Sequence, residues 1–404
     1  MGTKTEFKKW LTIQLGSREH YAIPRMLQKQ GQLSLLLTDS WVRPKWQPVV
    51  AKASRSLALR HHVDLADHQV RAPTLRRVAF DVSLQVRKVG LWDGIHQRNR
   101  WFQRWSAKQV LSQSQASAIC FSYSYTARLP FHAAKKRGMS CILGQIDPGP
   151  LEQELVDEMT SAYHGLRLEE SAPPAAYWED WREELELADR VVVNSEWSRE
   201  LLLRQGVASE KLAVIPLAYE GRALPAESNR ERVGAPDSSR PLVVLFLGQV
   251  ILRKGVGQLF DAIRLLGSAP IHFVFAGPLG VHPPSDIAAN SRVEILGAVD
   301  RNRAGELYRS ADVFLLPTLS DGFALTQLEA FAHGLPVIAS KACGTVVTHG
   351  VDGLLLDGVT PESIAGALEI LLDRQTLARM KAAVRIPTRF GLGALGENLK
   401  TLER

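Results

Sequence analysis

Short, mostly apolar runs alternate along the chain with longer stretches of helical spacing. Leu11-Thr12-Ile13-Gln14-Leu15 and Gln32–Asp39 read as strands flanking a helix that begins near Arg18, a βαβ opening. Strand pattern returns at Ala116–Ser122. A helix near Ala127–Arg137 follows, then a strand at Cys141-Ile142-Leu143 that runs out into Gln145-Ile146-Asp147-Pro148. The acidic stretch Leu151–Asp189 is predicted helical, with Trp178, Trp181, Leu185 and Leu187 as its apolar contacts. Arg190–Asn194, a helix Glu196–Arg204 capped by Ser195, and a strand Ala213–Pro216 complete this half.

Gly221–Arg240 is rich in Pro, Gly, Ser and charge and reads as a linker. A second series of apolar strands follows: Pro241–Gly248, Ile271–Gly277, Val293–Gly297, Ala311–Leu316, Val337–Ala339 and Leu354–Leu356. Strands with no polar alternation are buried on both faces, as in a parallel sheet covered by helices. The predicted class is α/β, with two Rossmann-like doubly wound domains at 1–220 and 241–388. Residues 389–404 form a last short helix.

The stretch Leu316–Ser340 joins a buried strand, a Pro-Thr-Leu-Ser-Asp-Gly loop, a helix expected from Ala324 and the next strand. A helix N-terminus at the carboxyl edge of a parallel sheet offers unpaired amides to an anion. Asp321 in the loop and Glu329 on the helix add two carboxylates able to accept from sugar hydroxyls. Taken alone, Asp321 reads equally well as a helix cap and Glu329 as a solvated side chain. Arg253 and Lys254, set after the strand Pro241–Gly248 and before Gly255, provide a bidentate donor and a point charge suited to a diphosphate. In the first βα turn Gly16 stands alone, so no dinucleotide fingerprint is present. Gly391-Leu392-Gly393-Ala394-Leu395-Gly396 spells GxGxxG but follows no strand.

Asp321, Gly322, Phe323, Glu329, Gly334 and Pro336 together resemble the donor-binding segment of retaining glycosyltransferases of family 4, group 1 glycosyltransferases with the GT-B fold. That family usually has Glu where this chain has Asp321. The run Ala188–Pro216 is similar to the same family. The resemblance implies two domains facing each other across a cleft and a nucleoside-diphosphate sugar as donor, bound without metal or other cofactor. It implies Arg253 and Lys254 on the phosphates, with Gly16 in the first loop and the amides of Ala324, Leu325 and Thr326 assisting. Glu329 would hold ribose, Asp321 the transferred sugar with Gly322 and Phe323 beside it, and Gly297, Ala298 and Val299 the base. His20 and Asp147 are acceptor-side candidates, though a lone His in the first turn of a helix is more often structural. The last helix would cross back onto the N-terminal domain.

Charge is uneven. Residues 1–140 carry a net +17, residues 141–220 a net −11 and the remainder +1. A basic first third points to an anionic, glycan or lipid-linked acceptor, or to contact with an anionic membrane face; no nucleic-acid module accompanies it. Within the basic helical segment 41–114, Trp92, Trp101, Phe102 and Trp105 interleave with Arg98, Arg100, Arg104 and Lys108. They form either an interfacial helix or aromatics packed on the sheet beneath solvated arginines. Three scattered cysteines exclude a disulfide framework, and the chain reads as cytoplasmic, peripheral at most. The expected activity is sugar transfer with retention of configuration. The alternatives are a non-catalytic nucleotide-sugar-binding subunit of a polysaccharide assembly system and a sugar-nucleotide epimerase.

Overall fold

The computed structural model describes residues 8–114, 117–168, 172–221 and 240–403. The expected linker lies outside these residues except for Gly221 and Arg240.

The first half builds a seven-stranded parallel sheet. Its strands are β1 (Trp10–Gln14), β2 (Leu33–Thr38), β3 (Val70–Arg71), β4 (Ile119–Tyr123), β5 (Ser140–Gly144), β6 (Arg190–Val193) and β7 (Leu212–Val214), in the order β3-β2-β1-β4-β5-β6-β7. Helices α1 (Ala22–Lys29), α2 (Gln47–Ala53), α3 (Arg55–Ala58), α4 (Thr74–Val86), α5 (Leu91–Leu111), α6 (Arg128–Lys135), α7 (Pro150–Met159), α8 (Ala175–Leu187) and α9 (Glu196–Arg204) connect and cover it. All five residues of β1, and all of β2 and β4, are buried, which explains their mostly apolar sequences; Thr12, Gln14, Ser34, Thr38 and Ser122 are buried with them.

The second half builds a six-stranded parallel sheet in the order β10-β9-β8-β11-β12-β13. The strands are β8 (Leu242–Leu247), β9 (Ile271–Ala276), β10 (Val293–Gly297), β11 (Val313–Leu316), β12 (Val337–Ala339) and β13 (Gly353–Leu355). Its helices are α10 (Val256–Leu265), α11 (Ser285–Ala288), α12 (Arg301–Ser310), α13 (Thr326–Ala332), α14 (Pro361–Ile370) and α15 (Arg374–Ala383). In both sheets the order reverses beside the first strand, and the loops at such switch points bind ligands in doubly wound folds. The carboxyl edges of the two sheets contribute to one cleft, the GT-B arrangement.

The final helix α16 (Leu392–Thr401) packs against α1, with Leu395, Leu399 and Leu402 in the core of the first domain. A Cβ on Gly396 would come 2.6 Å from Met26 and 2.7 Å from Gln30, so this glycine of the GxGxxG run serves close helix packing and no phosphate. Where the chain returns, the Tyr219 amide donates to the Phe390 carbonyl at 2.8 Å.

Two expectations need correction, and the two readings of the α5 aromatics resolve to packing on the sheet. No helix begins at Arg18: residues Arg18–Tyr21 form a 3-10 turn in which Glu19, His20 and Tyr21 are left-handed (φ 51°, 49° and 61°), and α1 starts at Ala22. The acidic stretch is not one helix. It divides into α7, a 3-10 segment Ser161–Leu166 and α8; in the 3-10 segment, Tyr163 and Leu166 pack on the core of the second domain. The aromatic face of α5 is no membrane surface. Phe102 is fully buried, Trp92, Trp101 and Trp105 lie against the first domain's core, and Trp101 stacks on Phe80 of α4. Arg98 pairs with Asp81 and Arg100 approaches Asp180.

Candidate functional site

A cavity of about 750 Å³ opens between the domains. The second domain contributes Leu247-Gly248-Gln249 after β8, Ala276-Gly277-Pro278 after β9, Ala298-Val299-Asp300 after β10, and Leu325 and Glu329 at α13. The first domain contributes Glu19, His20 and His62. Apolar strand ends thus floor the cavity, and a few charged groups rim it, the composition of a small-molecule site.

Glu329 sits in the first turn of α13. The Tyr308 hydroxyl of α12 donates to its Oε2 at 2.9 Å, and Tyr308 in turn stacks on His333. One carboxylate oxygen is thereby fixed while the group faces the cavity. Arg301, at the start of α12, donates from Nη2 to His20 Nε2 at 3.1 Å, linking the two walls. Burial and the Arg301 charge lower the His20 pKa.

The cationic pair lies next to this cavity. Arg253 and Lys254 occupy a tight turn, Leu252–Lys254, closed by Gly255 at φ 73°. A Cβ there would lie 1.9 Å from the Pro317 carbonyl oxygen, so only glycine brings this turn onto the loop after β11. Arg253 Nη1 donates to the Ser320 carbonyl at 2.9 Å, and Lys254 donates to the Asp321 carboxylate. Burial acts to raise the Asp321 pKa, but Lys254 and Arg253 outweigh it and hold the group below the usual carboxylate range.

Asp321 caps nothing: α13 has no side-chain cap, and the carboxylate turns to Lys254. The helix starts at Thr326, two residues later than expected. The Ala324 amide is taken by the Cys343 carbonyl at 3.0 Å, so of the three amides expected on phosphate only those of Leu325 and Thr326 lack a backbone acceptor among the described residues. The Phe323 ring is buried against Phe390, while Gly322 brings the loop onto the first domain: a Cβ there would sit 2.1 Å from the Ile146 carbonyl oxygen.

Across that contact stand two acids of the first domain. Asp147 accepts from the Tyr125 hydroxyl at 2.5 Å and the Gly149 amide at 2.9 Å, and its burial raises its pKa. Glu152, on the first turn of α7, is 3.8 Å from Arg253 Nη1, and its Oε1 is buried without a hydrogen-bond partner. Desolvation pushes Glu152 up to about 7, with Arg253 opposing and Asp147 adding to the rise. Glu19 accepts from the Tyr123 hydroxyl at 2.9 Å.

The structure therefore brings Arg253, Lys254, Asp321 and Asp147 into one cluster, and His20, Ala298, Val299, Leu325 and Glu329 into the adjoining cavity. Gly16 and Gly297 do not line that cavity. Gly16 (φ 83°) donates to Asp39 at 2.8 Å, and the Gly297 carbonyl accepts from Gly277 at 2.7 Å. Glu152, Arg301 and Tyr308 were not read from the sequence. Glu152 follows a strand end by one helical turn and was open to the carboxyl-edge rule. Tyr308 reaches the site from the helix before β11, and no local pattern announces that. Among the described residues no group of three or more His, Cys, Asp or Glu is arranged to hold a metal ion.

Residues 241–374 match the family described as Glycosyl transferases group 1, and residues 48–220 match Glycosyltransferase Family 4. The D-inositol 3-phosphate glycosyltransferase of Thermobispora bispora is 32% identical over 239 residues, 53% of this chain and 55% of the relative. That of Xylanimonas cellulosilytica is 37% identical over 171 residues, 40% of each chain. The chain spans about half the length of such relatives, or less. Among solved structures, Anabaena Alr3699/HepE in complex with UDP and glucose superposes with a TM-score of 0.59 at 13% identity, covering 98% of this chain and 99% of that one. The catalytic domain of Arabidopsis thaliana starch synthase IV bound to ADP and acarbose gives 0.65 at 14% identity, covering 98% of each. One glycosyltransferase family model matches on each side of the cleft, and together they identify the chain as a group 1 glycosyltransferase.

Proposed function

We propose that the chain transfers a sugar from a nucleoside-diphosphate donor to a glycan, lipid-linked or small-molecule acceptor, with retention of anomeric configuration and without a metal. The observation that carries this reading is the placing of Arg253 and Lys254 against Asp321, beside a cavity that holds Glu329. The diphosphate takes Arg253 and Lys254, and the ribose hydroxyls donate to Glu329, whose other oxygen Tyr308 holds. Ala298 and Val299 flank the base. Asp321 then faces the sugar from the second domain, with Glu152 and Asp147 facing it from the first.

When the bond between the anomeric carbon and the diphosphate oxygen breaks, negative charge grows on the leaving phosphate. Two fixed cations in a partly desolvated cleft stabilise that charge more than the ground state's, which lowers the barrier. The acceptor hydroxyl attacks from the side the diphosphate leaves, and its proton passes to the departing phosphate oxygen. This course retains configuration and needs no enzymic nucleophile.

The basic first third supports an anionic acceptor, and the relatives' names make an inositol phosphate a sensible first one to try. The test is release of nucleoside diphosphate from a panel of nucleotide sugars, with and without acceptors, and analysis of the product's anomeric configuration. Acceptor-dependent release is expected. The pairing of Asp321 with Lys254 also fits a subunit that binds without turnover. Tight binding with no transfer would favour that role, and conversion of the nucleotide sugar without acceptor would favour the epimerase.

A further inference from the structure

Helix α4 is apolar on two opposite faces, and only one of them is covered. Leu84 is buried, Phe80 stacks on Trp101 of α5, and Arg77 pairs with Asp39 and Asp81, so this side holds the helix to the domain. Turned away from it, Leu75, Val78, Val82 and Val86 are 86%, 38%, 51% and 76% exposed. At 3.6 residues per turn these four fall within about 80° of arc, one stripe along the helix. An amphipathic helix needs one apolar face to join a core, so the second is unexplained by the fold.

The stripe is set in positive charge. Residues 41–114 hold 14 Lys or Arg against 4 Asp or Glu, a net +10. Arg76 beside the stripe and Lys88 just beyond it are exposed, and their side chains make no hydrogen bond or ion pair among the described residues. The start of α4 is tied to the neighbouring segment by the Thr74 hydroxyl, which receives the Trp41 amide at 3.0 Å. That segment ends at Trp46, 55% exposed, with the Lys45 ammonium 5.7 Å from its ring centre. An apolar stripe flanked by cations and an exposed Trp matches the boundary of an anionic bilayer, where tails take the stripe, headgroups the charges and the indole the interface.

We infer that the outer face of α4 seats the protein on an anionic lipid surface through Leu75, Val78, Val82 and Val86, with Arg76 and Lys88 on the headgroups. The inference stands apart from sugar transfer, because it needs none of the cleft residues. No helix of the described residues is long and apolar enough to cross a membrane, and the contact inferred for α4 lies at the bilayer surface.

The experiment is co-sedimentation of the full chain with phosphatidylcholine vesicles, with and without phosphatidylglycerol. Each Lys or Arg at such a surface contributes about fivefold to partitioning, and each apolar side chain that enters about tenfold. The wild type should pellet at least tenfold better with the anionic vesicles. Binding should fall as salt shortens the Debye length from ~10 Å at 0.1 M to ~3 Å at 1 M. L75S/V82S/V86S, whose positions are exposed and whose melting temperature should stay unchanged, should lose tenfold or more. R76Q/K88Q should lose the preference for phosphatidylglycerol. Equal pelleting of the wild type and the stripe variant overturns the inference, as does absence of the wild type from the anionic pellet. A dimer in solution that the stripe variant reverts to monomer also overturns it, since a second copy would then be the cover.

Discussion

The Lys254 ammonium donates to the Asp321 carboxylate, and the Arg253 guanidinium stands 3.9 Å from the same group. A donor diphosphate must therefore compete with an acid the site already contains. Replacing Asp321 by Asn removes the competing charge with almost no change of shape. Nucleoside-diphosphate affinity in Asp321→Asn should hold or improve by up to about tenfold, while transfer falls because the sugar loses an acceptor. Calorimetry and initial rates on one preparation separate the two effects. Weaker diphosphate binding would show instead that Asp321 positions Lys254 for the phosphate.

Loss of either cation should act twice. A charge-assisted hydrogen bond contributes roughly 1.5–3 kcal/mol, so Arg253→Ala or Lys254→Ala should weaken nucleoside-diphosphate binding about ten- to a hundredfold. Turnover should fall further, because the charge on the leaving phosphate grows towards the transition state. Unchanged affinity in both variants removes the phosphate clamp.

Glu329 and Tyr308 should behave as one unit with the opposite signature. Their proposed partner is ribose, so Glu329→Gln should weaken nucleoside, monophosphate and diphosphate by similar factors. Tyr308→Phe, which frees the fixed oxygen, should give a smaller loss of the same pattern, up to about tenfold. An effect confined to the diphosphate would place Glu329 on the phosphates.

Glu152 makes donor binding pH-dependent. Its pKa is already pushed up to about 7, and it faces Arg253, Asp147, Ser320 and Asp321. An arriving diphosphate adds negative charge and draws on Arg253, which raises Glu152 further, so the complex binds more protons than the free protein. By linkage, affinity should decline from about pH 6 to about pH 8, with net proton uptake in calorimetry across buffers of different ionisation enthalpy. Burial and Arg301 lower the His20 pKa, which moves its titration towards the acid side of this window. Glu152→Gln should flatten the profile; an identical profile in that variant would assign the proton elsewhere.

Stability of the first domain should depend on Glu184. This fully buried carboxylate accepts from the amides of Tyr125 at 2.6 Å, Ala127 at 2.6 Å and Arg128 at 3.1 Å, closing the start of α6. Glu184→Ala leaves three buried donors unmet, at about 1–3 kcal/mol each before relaxation. A melting temperature lower by roughly 10 °C is expected, and less in Glu184→Gln, which keeps one acceptor oxygen.

Much of this molecule can be read before it folds. Fully apolar runs such as Val313–Leu316 fix buried parallel strands, and with Gly255 and the Asp321-Gly322 loop they locate the cleft edge. What escaped was set by contacts between distant segments. The left-handed turn at Glu19–Tyr21 breaks a plausible helix start, because Glu19 is drawn to Tyr123, a hundred residues on. The aromatics of α5 have the spacing of an interfacial helix and are covered by the core, while the uncovered stripe lies on α4. Composition reported the positive charge of that region but could not say which face remains open.

The return of α16 to the first domain has a mechanical result. The chain passes between the domains near Tyr219 and again near Phe390, and one hydrogen bond joins the two passages side by side. Two adjacent tethers make a hinge with an axis, where one would make a swivel. Such a joint would confine any rotation of one domain on the other to that line, and closure about it would return Glu152 to its 3.8 Å approach to Arg253.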